Sequence, residues 1–178
     1  MTLSDDTEDV RSPYGDLLRR YVRQMSTPSI TLRPPTADEY AGWMTRGCEG
    51  YAADIGPARD LDPAAALEAA YQEFGALLTD GLETENQLVW LACDDDEPVG
   101  SLWIGTQKTM PFIYLVEVLA EQRGKGYGRA IMLAGEEECR RRGYTHLALN
   151  VFGSNKIATG LYDSLGYVVV TQEMRKTL

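Results

Sequence analysis

Glycines and cationic side chains alternate over residues 123–129, and this run is the segment of the sequence best suited to bind an anion. It reads Arg123-Gly124-Lys125-Gly126-Tyr127-Gly128-Arg129. Because glycine has no Cβ atom, an anion can approach the backbone closely, and positive φ angles cost little. The run lies between an apolar segment and an amphipathic one. Its N–H groups are therefore expected at a helix N-terminus, which attracts negative charge. The sequence predicts a phosphate-binding turn.

The spacing of these glycines does not fit two common nucleotide motifs. A P-loop requires GxxxxGK followed by Ser or Thr, and this string is absent. A dinucleotide fingerprint requires GxGxxG, but its last glycine would fall on Arg129 when counted from Gly124, or on Ile131 when counted from Gly126. From this string alone, the alternative is a glycine-rich strand-to-helix turn that only exposes its charges.

The pattern Arg123-x-x-Gly126-x-Gly128, after an apolar segment that ends at Val118, resembles the coenzyme A signature of the GNAT N-acetyltransferases. The resemblance implies that backbone N–H groups of residues 123–129 hold the pyrophosphate of acetyl-coenzyme A.

The same resemblance gives a role to the strand before the turn. That strand is expected to bulge near Val118 and Leu119, whose backbone would bind the pantetheine arm and the thioester carbonyl. Ala120 stands where many family members have proline. Before Gln87 the sequence resembles the family only weakly. In the matching part it most resembles a bacterial branch of uncharacterised members.

A second segment, some way further along the chain, matches the same family. It reads Asn155-x-x-Ala158-x-x-Leu161-Tyr162, followed by Leu165-Gly166-Tyr167. The spacing of Asn155 and Tyr162 would place them on one face of a helix. The resemblance implies that Asn155 binds the pantetheine arm and that Tyr162 is the general acid, which donates to the leaving thiolate. A core aromatic at Tyr162 is the alternative.

The attacking amine must lose a proton, and the sequence offers few bases for this step. Glu117 is the leading candidate, because an acid within the apolar run 114–118 is costly unless it is paired or functional. Pairing with an arginine or a backbone donor remains the alternative. Some protein-acetylating relatives carry glutamate at the position of Asn150, which cannot act as a base and weakens a ribosomal or N-terminal-peptide substrate. The other candidates are the only histidine and two acids, namely His146, Glu83 and Glu85.

Patterns in the first half of the chain predict the elements that carry these residues. A strand is expected over 30–33, and a helix begins at Ala37 with Thr36 and Glu39 as a capping box. A second helix begins after Asp62 and runs to about residue 78. Its buried face is predicted to consist of Leu67, Tyr71, Phe74 and Leu78. Strands over 88–93 and 99–105 are joined by an acidic turn that lacks the spaced ligands of a calcium loop.

The second half predicts alternating strands and helices. The apolar run 112–119 is typical of a strand buried on both faces. A helix is expected from about Gly128 to Gly143, a strand over 145–151, a helix over 155–165 and a last strand over 167–171.

This order predicts an α/β fold around one mixed sheet. The resemblance specifies the GNAT acyl-coenzyme A N-acyltransferase fold, an α+β arrangement whose mostly antiparallel central sheet is flanked by helices. The 178 residues fit one N-acetyltransferase domain over 26–178. Before it, residues 1–25 are expected to be an extension, partly disordered or forming a short helix over 14–25.

Composition and charge narrow the classes of partner. A formal net charge of −10 argues against nucleic acid and anionic membranes, and it favours a cationic or amine-bearing acceptor. Three scattered cysteines argue against a disulfide framework or a metal site and favour a reducing cytoplasm. We find no pattern typical of a membrane span or a secretory signal.

These observations predict an N-acetyltransferase that moves an acetyl group from acetyl-coenzyme A to a primary amine by direct attack in a ternary complex. The alternative is a sensor or regulatory domain that binds coenzyme A without efficient turnover. Tyr162 favours the enzyme, and Asn150 favours the sensor. Because family members often pair, a homodimer is also an expectation.

Overall fold

The computed structural model of the chain describes residues 27–107 and 109–176. Its strands are β1 Thr31–Arg33, β2 Gln87–Asp94, β3 Glu97–Gly105, β4 Phe112–Val118 and β5 Ala148–Leu149. Its helices are α1 Ala37–Arg59, α2 Pro63–Leu77, α3 Tyr127–Arg141 and α4 Lys156–Ser164. The predicted helix over 14–25 lies outside the described residues.

The strands form one mixed sheet in the order β1-β2-β3-β4-β5. Neighbours from β1 to β4 are antiparallel, and β5 is parallel to β4. The mostly antiparallel mixed sheet flanked by helices was predicted and is confirmed. The β4–β5 pairing covers only Phe112 with Ala148 and Ile113 with Leu149, so the two strands separate beyond Ile113.

Local signals place the starts of α1 and α2. The Thr36 hydroxyl accepts a hydrogen bond from the Glu39 N–H, and the Glu39 carboxylate accepts one from the Thr36 N–H, which completes the predicted capping box. The Asp62 carboxylate accepts hydrogen bonds from two N–H groups of the first turn of α2, as its position before Pro63 predicted.

Two apolar clusters hold the helices on opposite faces of the sheet. On one face, α1 and α2 pack their aromatic residues Trp43 and Phe74 against Trp103 of β3. On the other face, Ile131 and Met132 of α3 are completely buried against β3 and β4. Burial of these apolar surfaces is the main contribution to stability.

The cysteines are all buried and unpaired. Cys48 lies in the first cluster and Cys139 in the second, while Cys93 is on β2. Burial raises the pKa of each thiol, to about 11 for Cys48.

The predicted buried face of α2 is partly wrong. Tyr71 is 43% exposed, whereas Ala66, Ala70 and Phe74 are buried. Alanines at a spacing of four residues let α2 pack closely against α1, and this rotates the larger Tyr71 towards solvent.

The prediction that the strand over 112–119 is buried on both faces is also wrong. Within β4 only Ile113 is fully buried, and the other residues are half-buried. The physical reason is that, among the described residues, no strand pairs with β4 on its β5 side after Ile113.

The last two predicted strands differ most from the structure. The strand expected over 145–151 is reduced to β5, and Val151 is exposed. Residues 167–171 form no strand, and Val168, Val169 and Val170 are exposed. The Arg175 guanidinium pairs with Asp60 at the end of α1 (3.0 Å), so the chain after α4 runs to that helix end instead of along β5.

Among the helices of residues 27–107 and 109–176, none combines the length and apolar character that crossing a bilayer requires.

Candidate active site

The glycine-rich turn connects β4 to the N-terminus of α3. Gly124 and Gly126 have φ angles of 75° and 89°, so the predicted need for glycine at these positions is confirmed. Gly126 is the N-cap residue of α3, and no side chain in the described part of the chain caps this helix. The N–H groups of Gly128 and Arg129 lie in the first turn, where they have no intrahelical acceptor. The turn therefore presents backbone donors at a helix N-terminus, which suits an anion.

The cations of this turn bind only neutral acceptors. The Arg123 side chain donates to the Val118 carbonyl (3.2 Å), Lys125 donates to the Gln122 amide oxygen (2.9 Å), and Arg129 donates to the Ser164 hydroxyl (2.5 Å). No acidic side chain among the described residues pairs with any of these three cations. By contrast, ion pairs engage arginines elsewhere in the chain, namely Arg33, Arg46, Arg59, Arg140, Arg141, Arg142 and Arg175. In a protein of net charge −10, this concentration of uncompensated positive charge favours an anionic ligand.

Packing and a hydrogen bond fix the turn against the sheet. The Tyr127 hydroxyl donates to the Asp94 carboxylate at the end of β2 (2.5 Å). A Cβ atom on Gly128 would lie 3.3 Å from Cδ2 of Leu161 and 3.8 Å from Cγ2 of Val118. The absence of a side chain at Gly128 thus allows the start of α3 to approach both α4 and the end of β4.

Strand β4 contains a bulge, as predicted, but the predicted position near Val118 and Leu119 is wrong. Leu115 pairs with Trp103 and Ile113 pairs with Ile104, so Tyr114 is the extra residue. At Val118 the strand is still in register with Gly100. A Cβ atom on Gly100 would lie only 2.2 Å from the Glu117 carbonyl oxygen. The glycine therefore lets the two backbones approach and keeps the ladder regular to its end.

The end of β4 offers an open backbone edge. The Leu119 N–H donates to the Val99 carbonyl (3.0 Å), so it is directed towards β3. Because successive residues of a strand direct their backbone groups to opposite sides, the N–H of Val118 faces away from β3. On that side no strand of the described residues pairs with β4 beyond Ile113. An extended ligand could therefore bind the N–H of Val118, whereas the Val118 carbonyl already accepts from Arg123 and the Leu119 N–H is already engaged.

Helix α4 carries the two residues of the second motif. Asn155 is its N-cap rather than a residue of the helix, and its side-chain oxygen accepts from the Ala158 N–H (3.0 Å). Tyr162 lies within the helix, half-buried, with its ring 5.8 Å from that of Tyr167. Burial raises the pKa of Tyr162, which keeps its hydroxyl protonated and able to donate.

A cleft of about 640 Å³ opens between α1 and the end of β4. Three acidic side chains, Glu49, Glu117 and Glu121, line it together with Arg46, Gly50, Leu119, Ala120 and Arg123. Because Arg123 belongs to both, the cleft is continuous with the glycine-rich turn.

Glu117 is paired with an arginine and also borders the cleft. Its carboxylate accepts hydrogen bonds from Nε of Arg46 (3.1 Å) and from the Ser101 hydroxyl (3.0 Å). The arginine partner anticipated for an acid in this run is therefore present. The same side chain lines the cleft and is 18% exposed, so it is also accessible to an acceptor.

The other base candidates lie away from the cleft. His146 and Asn150 are exposed, and the His146 ring contacts the Thr145 hydroxyl (2.9 Å). Glu83 and Glu85 are exposed before β2. In the sheet register Gln87 is level with Gly105 and Phe112, which is five residues or about 17 Å along β4 from Glu117.

Sequence reasoning missed three residues that shape this site. Arg46 pairs with Glu117 across 71 positions of sequence, and a separation of that size leaves no local pattern. Asp94 begins the acidic turn between the strands predicted over 88–93 and 99–105, to which the sequence assigned no role, yet it holds Tyr127. Ser101 is fully buried, and a polar residue within the apolar run 99–105 was the one signal that could have indicated it.

Comparisons with known proteins agree with this architecture. The profile of the Acetyltransferase (GNAT) family matches residues 56–167. The uncharacterized N-acetyltransferase YycN of Bacillus subtilis is 32% identical over 155 residues, which cover 84% of this chain and 99% of that protein. A second uncharacterized N-acetyltransferase of the same organism, YdgE, is 27% identical over the same shares of the two chains.

Solved structures extend the comparison. The crystal structure of the putative acetyltransferase YycN superimposes with a TM-score of 0.79 at 30% identity, covering 84% of this chain and 99% of that one. PaiA N-acetyltransferase from Thermoplasma acidophilum, solved in complex with coenzyme A, has a TM-score of 0.63 at 15% identity, covering 82% and 93%. At that identity the likeness concerns the fold alone.

Proposed function

Since the chain belongs to the GNAT acetyltransferase family, we propose that it transfers an acetyl group from acetyl-coenzyme A to a primary amine, within a ternary complex. The observation that carries this proposal is the turn at 123–129, where helix N–H groups meet three cations that have no acidic partner among the described residues. A diphosphate supplies the negative charge that this turn lacks. The coenzyme A complex of PaiA gives a precedent for such a ligand on the same fold.

The rest of the co-substrate would follow the open edge of β4. The pantetheine arm has amide groups that can pair with an unpaired strand edge, and the N–H of Val118 is available to it. The Leu119 N–H donates to Val99 and is therefore not free to bind the pantetheine arm. Leu119 would instead contact the ligand as part of the cleft wall. Asn155 keeps its amide nitrogen for the arm, since only its oxygen caps α4.

The acceptor amine would occupy the cleft between α1 and β4. Glu49 and Glu121 have no cationic partner among the described residues and border this cleft with Glu117. Such a wall favours a positively charged acceptor.

Glu117 and Tyr162 would divide the proton transfers. Glu117 accepts a proton from the ammonium, directly or through one water, and the free amine then attacks the thioester carbonyl. Collapse of the tetrahedral intermediate forms the amide and breaks the carbon–sulfur bond, while the second proton on the nitrogen passes through water to replace the one that Tyr162 gives up. Tyr162 donates a proton or a hydrogen bond to the departing thiolate. The contact of Leu161 with the start of α3 supports this placement of Tyr162.

Two measurements on the purified chain test the proposal. Calorimetry with acetyl-coenzyme A should show binding, and the melting temperature should rise with ligand concentration. Release of free coenzyme A across a panel of small amines, polyamines and peptide amines should then identify acceptors. If acetyl-coenzyme A gives neither heat nor thermal stabilisation, the proposal is wrong.

The second candidate function is a coenzyme A sensor without efficient turnover. The ion pair between Arg46 and Glu117 favours it, because the guanidinium occupies one of the two carboxylate oxygens that could accept a proton. A sensor would bind acetyl-coenzyme A in the calorimeter and release no coenzyme A with any amine of the panel.

Pairing of two copies is part of the proposal and is supported by the C-terminal segment. Val168, Val169 and Val170 are 77–86% exposed, and no backbone ladder engages them within the described residues. In the sheet formed by the described residues, β5 is an edge strand. A second copy could supply the missing strand to this edge and receive the same in return. The proposed setting is a reducing cytoplasm, which suits three unpaired cysteines.

A further inference from the structure

A buried hydrogen-bond chain connects the core of the protein to the Glu117 carboxylate. The indole nitrogen of Trp43 on α1 lies 3.1 Å from the Ser101 hydroxyl on β3. The Ser101 hydroxyl lies 3.0 Å from Oε2 of Glu117 on β4. Trp43 and Ser101 are both 0% exposed. These two hydrogen bonds thus connect α1, β3 and β4, and they end at Glu117 in the wall of the proposed acceptor cleft.

The direction of each hydrogen bond follows from the groups themselves. An indole N–H can only donate, so the Ser101 oxygen must accept from Trp43. Ser101 has one hydroxyl hydrogen, and Glu117 is the other group in reach, so that hydrogen points at the carboxylate. This hydrogen bond fixes the position of Oε2 of Glu117 relative to β3. Trp43 therefore determines the direction of the Ser101 O–H bond, and Ser101 in turn holds Oε2 of Glu117 by a hydrogen bond.

Arg46 holds the other oxygen of the same carboxylate. Nε of Arg46 lies 3.1 Å from Oε1 of Glu117, and the Arg46 side chain is 44% exposed at the cleft. An exposed ion pair constrains a side chain weakly, because solvent competes for both charges. The contact with fully buried Ser101 is shielded from solvent and sets the orientation of the carboxylate more strongly.

We propose that Ser101, oriented by Trp43, is a positioning residue that aims the Glu117 carboxylate at the acceptor amine. This inference rests on the proposed function of Glu117 as the base. A buried hydroxyl is costly unless its hydrogen bonds are satisfied, so alanine would serve better at this core position if only packing mattered. Without the Ser101 hydroxyl, Oε2 of Glu117 loses its hydrogen bond, and among the described side chains Arg46 alone still binds the carboxylate, through Oε1.

The variant Ser101→Ala tests the positioning role. We expect kcat to fall about tenfold, since small displacements of a catalytic group are costly, while the Kd for acetyl-coenzyme A changes less than about twofold. Trp43→Phe removes the donor but keeps an aromatic ring, and kcat should fall in the same direction. The matched control is Cys139→Ala, which deletes one buried heavy atom on the other face of the sheet and should leave kcat unchanged.

A double-mutant cycle separates positioning from a general loss of stability. In the Glu117→Gln background, Ser101→Ala should change kcat less than about twofold, because its effect passes through Glu117. An equal fall in both backgrounds, or a fall matched by Cys139→Ala, overturns the inference. If wild type releases no coenzyme A with any amine, the proposed function fails. Active wild type with no loss in Ser101→Ala overturns only the positioning role.

The indole resonance of Trp43 gives a readout that does not depend on turnover. In a proton–nitrogen spectrum, Trp43→Phe identifies that resonance among those of the three tryptophans. Glu117→Gln should shift the Trp43 signal through Ser101 and leave the others in place. An unmoved Trp43 signal would show that the chain does not couple the two residues, and it overturns the inference.

Discussion

At the scale of single residues, the Glu117 carboxylate has its two oxygens bound to different elements. Arg46 of α1 holds one oxygen and Ser101 of β3 holds the other, yet the side chain still borders the cleft. Such fixed geometry is what a base requires, because proton transfer depends on distance and direction.

The substitution Glu117→Gln keeps the shape of this side chain and removes its basicity. We expect kcat to fall about 100-fold, with the Kd for acetyl-coenzyme A within about twofold of wild type. The measurement is coenzyme A release at saturating amine, together with calorimetry. Glu85→Gln is the matched control, since Glu85 is exposed at the opposite end of the sheet. An unchanged rate in Glu117→Gln would remove Glu117 from the mechanism.

Tyr162→Phe removes the hydroxyl proposed to meet the thiolate. We expect kcat to fall about 10-fold to 100-fold while acetyl-coenzyme A still binds. Burial raises the pKa of Tyr162, so its donor persists as the pH rises and is lost only above the usual tyrosine value of about 10. Wild type should therefore lose no activity through this group between about pH 8 and 10. Tyr71→Phe on the exposed face of α2 is the control, and an equal loss there would contradict the role of Tyr162.

At the scale of elements, the conformation of the glycine-rich turn determines whether α3 begins where an anion can reach it. Gly126→Ala should raise the Kd for acetyl-coenzyme A about tenfold, because an L-residue at a φ of 89° is strained by roughly 1–2 kcal/mol. Its Cβ would also lie 3.1 Å from Cδ of Pro28.

A second glycine provides the control for this substitution. Gly75 lies inside α2 with no atom within 4 Å of an added Cβ, so Gly75→Ala should stabilise the fold by about 0.5–1 kcal/mol and leave binding unchanged. Calorimetry and thermal melts compare the two variants. Equal affinities for acetyl-coenzyme A would show that the turn does not hold its pyrophosphate.

The N-terminus of α1 gives a pH-dependent contribution to stability. Hydrogen bonds from Arg33, and then from the Thr36 backbone, lower the pKa of Glu39 from 4.5 to about 2. A lowered pKa means that this stabilisation is complete above about pH 4.5 and is lost as the pH falls towards 2.

Glu39→Gln isolates the charge, because glutamine at this position still completes a capping box. Wild type should melt at a higher temperature than Glu39→Gln at pH 7, and the difference should disappear near pH 2. Thermal melts across this range measure it. If the two melting temperatures still differ at pH 2, the stabilisation by Glu39 comes from the shape of its side chain and not from its charge.

Local signals made some elements predictable and left others out of reach. Thr36, Asp62 and Gly126 determine their surroundings within a few residues, and each was placed correctly. The exposure of Tyr71 depends on how closely α1 packs against α2. The sequence of α2 alone cannot predict that distance. The contacts of Glu117 join α1, β3 and β4, so only the folded chain brings its partners together.

At the scale of the whole molecule, the pairing of strands determined where prediction failed. A strand over 167–171 was expected from its β-branched residues, but a strand exists only where a neighbouring edge accepts it. The chain after α4 instead runs to Asp60, and β5 stays at the edge.

The proposed pairing of copies predicts a concentration-dependent dimer. Val169→Pro removes one N–H and disfavours a paired strand, so it should convert the dimer to a monomer without lowering the melting temperature of the monomer. Met174→Gln, also exposed in the C-terminal segment, is the control. Sedimentation equilibrium distinguishes the species, and a wild-type monomer at every concentration would contradict the pairing.

The burial of Cys48, Cys93 and Cys139 makes the folded protein nearly silent towards chromogenic disulfide reagents. An accessible thiolate must attack such a reagent, and burial keeps these three groups as inaccessible thiols. Under native conditions the absorbance of the released chromophore therefore measures free coenzyme A, and no correction for the protein's own cysteines is needed. In denaturant the same reagent titrates three groups per chain, so one cuvette can follow turnover and then loss of the native state.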